Sequence, residues 1–177
     1  MDTNQQFDQA IADCRRVFVA KLSDYGASWR IMRPQSVTDQ IFIKAKRIRS
    51  LEIKGVSAVG EGILPEFKAI VNYAIIGIIQ LQLGFVDTKD IDAERATALY
   101  DEVAAKARAL LVAKNHDYDE AWRSMRVLSY TDFILTKIER VKQIEDNAGE
   151  VKVSEGIDSN YLDILVYAVF GIIKLTE

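Results

Sequence analysis

Residues 21–52 read KLSDYGASWRIMRPQSVTDQIFIKAKRIRSLE, and residues 114–145 read KNHDYDEAWRSMRVLSYTDFILTKIERVKQIE. With the chain shifted by 93 positions, Lys21, Asp24, Tyr25, Trp29, Arg30, Met32 and Arg33 meet identical residues. So do Ser36, Thr38, Asp39, Ile41, Lys44, Arg47 and Glu52, giving 14 identities in 32 positions. Chance at ordinary residue frequencies would give about two. After a one-residue insertion the register continues: Glu61-Gly62-Ile63 meets Glu155-Gly156-Ile157, and Gly77-Ile78-Ile79 meets Gly171-Ile172-Ile173. The chain is therefore one unit written twice. Two copies are too few for a solenoid, in which several stacked repeats share a core. The expectation is an all-α six-helix bundle made of two tandem three-helix repeats. They span residues 1–87 and 94–177, are related by a pseudo-two-fold, and pack as one globular unit.

Apolar residues at Phe7, Ile11, Cys14, Phe18 and Leu22 follow the helical period and predict a first helix over roughly Asn4–Ser23. Asp24-Tyr25-Gly26 ends it, with glycine available for a left-handed turn. Ser36 with Asp39 three residues on suggests a capped start to a second helix that runs to about Glu52. The third is expected to begin between Glu61 and Pro65 and to stop at Gly84. Helices over Ile91–Lys114, Ser129–Asn147 and Glu155–Thr176 repeat the pattern.

Composition narrows the function classes. Hydrophobic residues at 49% and charged residues at 28% describe a globular chain. A net charge of −3 gives no electrostatic case for nucleic acid or an anionic membrane as partner. One cysteine, Cys14, allows no internal disulfide and no thiolate zinc cage, and its place on the apolar stripe marks it as core. One histidine, His116, excludes a multi-histidine metal site within the chain, and Ser23 stands at its position in the other copy. The start MDTNQQFDQA has no signal-peptide pattern, so the cytoplasm is the default location. The apolar run from Ala69 to Phe85 is interrupted by Asn72, Gln80 and Gln82 and reads as a core helix rather than a membrane span.

Three groups of polar residues could carry chemistry. Glu155, Asp158 and Asp163 share a broad face if the sixth helix reaches back to Glu155, and Glu61 is the matching acid of the first copy. Clustered carboxylates suit Mg²⁺; the competing reading is helix-dipole or N-cap stabilisation. Lys44 with Arg47, and Lys137 with Arg140, each lie three apart on one helix face, where they could grip phosphate together with Lys21 and Lys114. The competing reading is salt bridging to internal acids. Tyr25 and Trp29, repeated as Tyr118 and Trp122, could hold a nucleobase, with Arg30 or Arg123 on phosphate. Otherwise these aromatics pin a loop to the bundle.

The pattern K-x-x-D-Y-G, then K-x-x-R, then an acid-led helix with N-Y-A resembles the nucleotide modification associated domain, type 1, a family of bacterial and phage proteins without a secure activity. Lys21, Asp24, Tyr25, Gly26, Lys44, Arg47, Glu61, Asn72 and Tyr73 carry it; the second copy has Asp119 and Val166 in place of the glycine and the asparagine. Asn160-x-x-Asp163 also resembles, more distantly, the E-x-x-D helix of the all-α nucleoside triphosphate pyrophosphohydrolases, the MazG-like enzymes and dimeric dUTPases. That likeness implies Mg²⁺-dependent release of pyrophosphate. Glu66-x-x-Ala69 lacks the aspartate, and the second helices have no E-x-x-E. Together these residues lead to a Mg²⁺-dependent nucleotide-binding protein, with triphosphate pyrophosphohydrolysis as its enzymatic form. The rival is a non-catalytic helical interaction module. A nucleotide is the expected partner, and a second copy of the chain is a further candidate.

Overall fold

In the computed structural model, which describes residues 1–55, 62–150 and 155–177, six helices alternate with two short 3₁₀ turns. They are α1 (Thr3–Tyr25), α2 (Pro34–Lys54), α3 (Leu64–Leu83), α4 (Ala93–Tyr118), α5 (Val127–Asp146) and α6 (Ile157–Thr176). The turns, Ser28–Ile31 and Ala121–Ser124, follow α1 and α4. Each repeat is thus helix, turn, helix, helix, as the sequence predicts.

Local chemistry sets the boundaries. Asp2 caps α1 in a full capping box, its side chain accepting from Gln5 N while the Gln5 side chain accepts from Asp2 N. Gly26, at φ 69°, ends α1. The second helix starts two residues before the predicted Ser36 cap, because Pro34 with its fixed φ occupies the first turn. Asp39 is released from capping and faces Lys142 of α5 at 3.9 Å. The sixth helix starts at Ile157, so Glu155 precedes it, and the shared face assumed for Glu155, Asp158 and Asp163 does not form.

The two most apolar helices, α3 and α6, cross at the centre; α2 and α5 pack against them and against each other, while α1 and α4 lie across the pair. Both α3 and α6 are long and apolar enough to span a membrane by length and composition alone. In their most apolar windows, however, 61% and 67% of residues are buried inside the protein, so their apolar surface is core.

The pseudo-two-fold is visible as reciprocal contacts, the signature of a self-complementary interface. Arg15 pairs with Asp101 at 2.8 Å and its counterpart Arg108 with Asp8 at 2.7 Å. Arg49 meets Asp132 as Lys142 meets Asp39. Thr38 donates to Glu145 at 2.9 Å, and Thr131 to Glu52 at 3.0 Å. At the centre, Gly77 lies against the Tyr161 ring and Gly171 against the Phe67 ring. The exposed ion pairs contribute little each; the glycine–ring contacts set how closely α3 and α6 approach.

A methyl group at Gly77 would lie 2.8 Å from Tyr161 Cε2, and Tyr161 is fully buried with its hydroxyl 2.5 Å from Thr38 Oγ1. Although alanine favours a helix by about 1 kcal/mol over glycine, Gly77→Ala is expected to lower stability by about 1–3 kcal/mol through overpacking. Gly171→Ala, 3.0 Å from Phe67, should lose less. Chemical denaturation checks both; a stabilised Gly77→Ala would contradict the close crossing.

Burial raises the carboxyl groups of Glu52 and Glu145 above their ordinary value of 4.5, while their threonine hydrogen bonds pull the other way. A raised folded-state value gives stability that is complete below the unfolded value and is lost as pH climbs through the folded one. Glutamine keeps an acceptor for threonine and cannot ionise. The double variant E52Q/E145Q should therefore gain on the parent as pH climbs above the ordinary value of 4.5. Denaturation at each pH tests this, and a constant difference contradicts it.

Candidate functional site

The first helix, the Ser28–Ile31 turn, α2 and α3 enclose a cleft of about 570 Å³ in the first repeat. Its equivalent in the second repeat is about 300 Å³. Small-molecule sites commonly measure about 300–1,000 Å³ and are mostly apolar with a few convergent polar groups. The larger cleft fits that description. Phe18, Leu22, Tyr25, Trp29, Tyr73 and Ile76 are among its walls, while Lys21, Lys44, Lys68 and Glu66 bring charge to it.

The loop aromatics are placed as anchors. Trp29 is 7% exposed and packs against Phe18; Trp122 is 6% exposed, stacks on Phe170 at 4.4 Å, and has the Arg123 guanidinium over its ring. Neither ring is open to sandwich a base. Tyr25 and Tyr118, 50% and 70% exposed, remain at the cleft mouths. The loop arginines do not reach a phosphate site. Arg30, 2% exposed, is held by Asp90, and Gln80 donates to its carbonyl at 2.9 Å. Arg123 is held by Glu120, Gln6 and Thr3, and Lys174 donates to its carbonyl at 2.7 Å. Gln80 and Lys174 are equivalent positions, so each repeat ties down its loop from its third helix.

The acids and bases that the sequence assigns to separate jobs are largely each other's partners. Asp163, 6% exposed, binds Lys114 at 2.7 Å and Lys137 at 3.0 Å. Burial depresses the Lys114 ammonium, but the Asp163 hydrogen bond and charge, with Tyr167 and Glu155, outweigh it and raise the group. In the first repeat, Glu66 takes Arg47 at 2.6 Å and Lys44 at 3.5 Å. Glu66 aligns with Asn160, and Asp163 aligns with Ala69. The buried acid has therefore moved one helical turn between the copies. In the second repeat it reaches Lys114; in the first, Lys21 is left unmatched. Among the described residues Lys21 and Lys68 have no carboxylate partner.

Among the described residues, the expected Mg²⁺ ligands are not brought together. Asp158 is exposed on the first turn of α6, and exposed Glu155 offers its backbone carbonyl to Asn160 at 3.3 Å. Glu61 lies outside the described residues. Among those described, no group of three or more His, Cys, Asp or Glu side chains converges. A cation at Asp163 would meet two ammonium groups, so these donors do not fit one. Arg140 is exposed and lines a shallow groove with Asp132 and Glu139, while its charge also reaches Tyr167 of the second cleft.

Asn72, prominent in the sequence pattern, is a structural tie: its amide donates to Cys14 O at 3.0 Å and accepts from Tyr100 at 2.7 Å. Burial pushes the Cys14 thiol up to about 12, leaving it inert near neutral pH. The residues that sequence reasoning passed over are Lys68 and Ile76; a lone lysine inside an apolar helix was the available signal for the first. Two buried polar groups at the larger cleft lack a hydrogen bond among the described residues: Trp29 Nε1, and Glu66 Oε2, which has only the 3.5 Å ion pair to Lys44. Trp122 Nε1 repeats the first in the smaller cleft. Native proteins rarely leave such groups unpaired.

A helical repeat of this kind defines a class before it defines a molecule, a tandem bundle with one cleft per repeat. The chain belongs to the nucleotide modification associated domain 1 family, whose profile matches residues 21–81 and 114–175, one segment in each repeat. No curated protein and no solved structure gives a significant match. The likeness to pyrophosphohydrolases therefore rests on the sequence pattern alone.

Removing the charge of Asp163 strands two lysines against α6. Asp163→Asn should cost about 1–3 kcal/mol, below the figure for a fully buried pair because Lys114 is half exposed. Asp158→Asn should stay within about 0.5 kcal/mol. Equal effects in denaturation would argue against the lysine-paired role of Asp163.

Proposed function

We propose that the protein binds a nucleotide, in the cytoplasm, in the cleft of its first repeat. The observation that supports this most is the pair of lysines, Lys21 and Lys68, that have no carboxylate partner among the described residues and line a mostly apolar cleft of about 570 Å³. Phosphates would sit on these ammonium groups, and the base would lie against Tyr25, Tyr73 and the exposed edge of the wall. Trp29 Nε1 supplies an unused donor among the described residues, suited to a base or sugar. Mg²⁺ enters this reading as the counter-ion that nucleoside triphosphates carry on their own phosphates. Pyrophosphohydrolysis is the enzymatic extension of the same reading.

The interaction-module reading draws support from Lys44, Arg47, Lys114 and Lys137, all of which have acidic partners inside the protein. It requires closed clefts, and the larger cleft argues against it.

A panel of ribo- and deoxyribonucleoside triphosphates with Mg²⁺ or Mn²⁺, followed by calorimetry and pyrophosphate release, separates the two. At least one member should raise the melting temperature. Lys21→Ala and Lys68→Ala should each weaken that ligand about tenfold, equivalent to about 1.4 kcal/mol, without lowering the unliganded melting temperature. If no nucleotide binds or is consumed, the reading fails and the interaction module is favoured.

A further inference from the structure

The two clefts are built on one plan, so their differences show what changed. Lys21 and Lys114 are equivalent, as are Lys44 and Lys137, Trp29 and Trp122, and Tyr73 and Tyr167. Both clefts also keep a buried indole N–H without a hydrogen-bond partner among the described residues. Among the positions that differ, Lys68 becomes Leu162 and Glu66 becomes Asn160, and two further changes close the second cleft. Ala69 of the first repeat becomes Asp163, whose carboxylate lies 2.7 Å from Lys114 and 3.0 Å from Lys137. Ile76 becomes Phe170, which stacks on Trp122 at 4.4 Å and 3°. The cleft volume falls from about 570 to about 300 Å³.

A carboxylate bridging two lysines has the charge and contacts of a bound anion. The equivalent lysines of the first repeat face a position where alanine offers nothing, although Lys44 is partly answered by Glu66 at 3.5 Å. We propose that Asp163 is a built-in anion filling, in the second repeat, the seat that the first repeat keeps open for a ligand's phosphate. The chain then carries one working site and one plugged site. The proposal rests on the binding reading above and adds its stoichiometry and the position that decides it. Asp163 also ties α6 to both α4 and α5.

Exchange of the deciding residues tests it, with inorganic pyrophosphate as the probe and isothermal calorimetry as the readout. The parent protein should take up one equivalent. Ala69→Asp, which brings the plug to Lys21 and Lys44, should weaken uptake at least tenfold in a protein that remains folded. D163A/F170I, which frees Lys114 and Lys137 and reopens the aromatic wall, should take up a second equivalent that Lys114→Ala removes again. Full binding by Ala69→Asp would overturn the proposal, as would a folded D163A/F170I that stays at one equivalent. Should the second variant not fold, the first decides alone. If the parent takes up none, the open site of the first repeat fails by itself. The plug is then judged on Asp163→Ala: one equivalent upholds it and none rejects it.

Discussion

The close crossing of α3 and α6 is the constraint from which the rest of the molecule follows. Two helices that are apolar nearly all round bury most of that surface inside the protein, against each other and against the four helices around them, and this burial is the main favourable contribution of the bundle. Glycine at positions 77 and 171 lets each helix accept a ring from the other, Tyr161 in one direction and Phe67 in the other. Once this pair is fixed, α2 and α5 are carried onto one side and α1 and α4 onto the other. The reciprocal pairs Arg15–Asp101 with Arg108–Asp8, and Thr38–Glu145 with Thr131–Glu52, follow from the same axis.

Symmetry in the core leaves the clefts free to differ. Each opens between the first and third helices of its own repeat, away from the axis, so a change there leaves the helix crossing untouched. The buried acid sits on α3 in one copy and on α6 in the other, one turn apart. That shift alone decides whether the lysine ending the first helix is neutralised. The glycines and the reciprocal contacts account for the shared fold, while positions 66, 68, 69, 76 and their counterparts are among those that make the clefts differ in charge and volume.

Much of this was legible in the sequence. The repeat follows from identities, the helices from the 3.6-residue period, and the ends of α1 and α3 from Gly26 and Gly84. The identities Asp8–Asp101 and Arg15–Arg108 fall outside the densest window, and they show that the duplication includes the first helices. What no single strand of sequence reveals is which side chain of one element meets which of another. Asp163 was recognisable as an acid out of place in an apolar helix, and Lys114 and Lys137 as recurring bases. Their mutual contact requires α4, α5 and α6 in place, and it turns a metal ligand and two phosphate ligands into one ion-paired cluster. The tryptophans carried two readings for a related reason: residues with the chemistry to stack on a base also have the chemistry to pin a loop, and the packing on Phe18 and Phe170 favours the second.

The central claim is that two clefts of common origin differ in being open and closed to an anion. A crystal structure grown with a non-hydrolysable nucleoside triphosphate and Mg²⁺ addresses it most directly. The account predicts phosphate density beside Lys21 and Lys68 in the first repeat, with Asp163 still holding Lys114 and Lys137 in the second. Density on Lys114 with Asp163 displaced, or a metal held jointly by Glu155, Asp158 and Asp163, would contradict it.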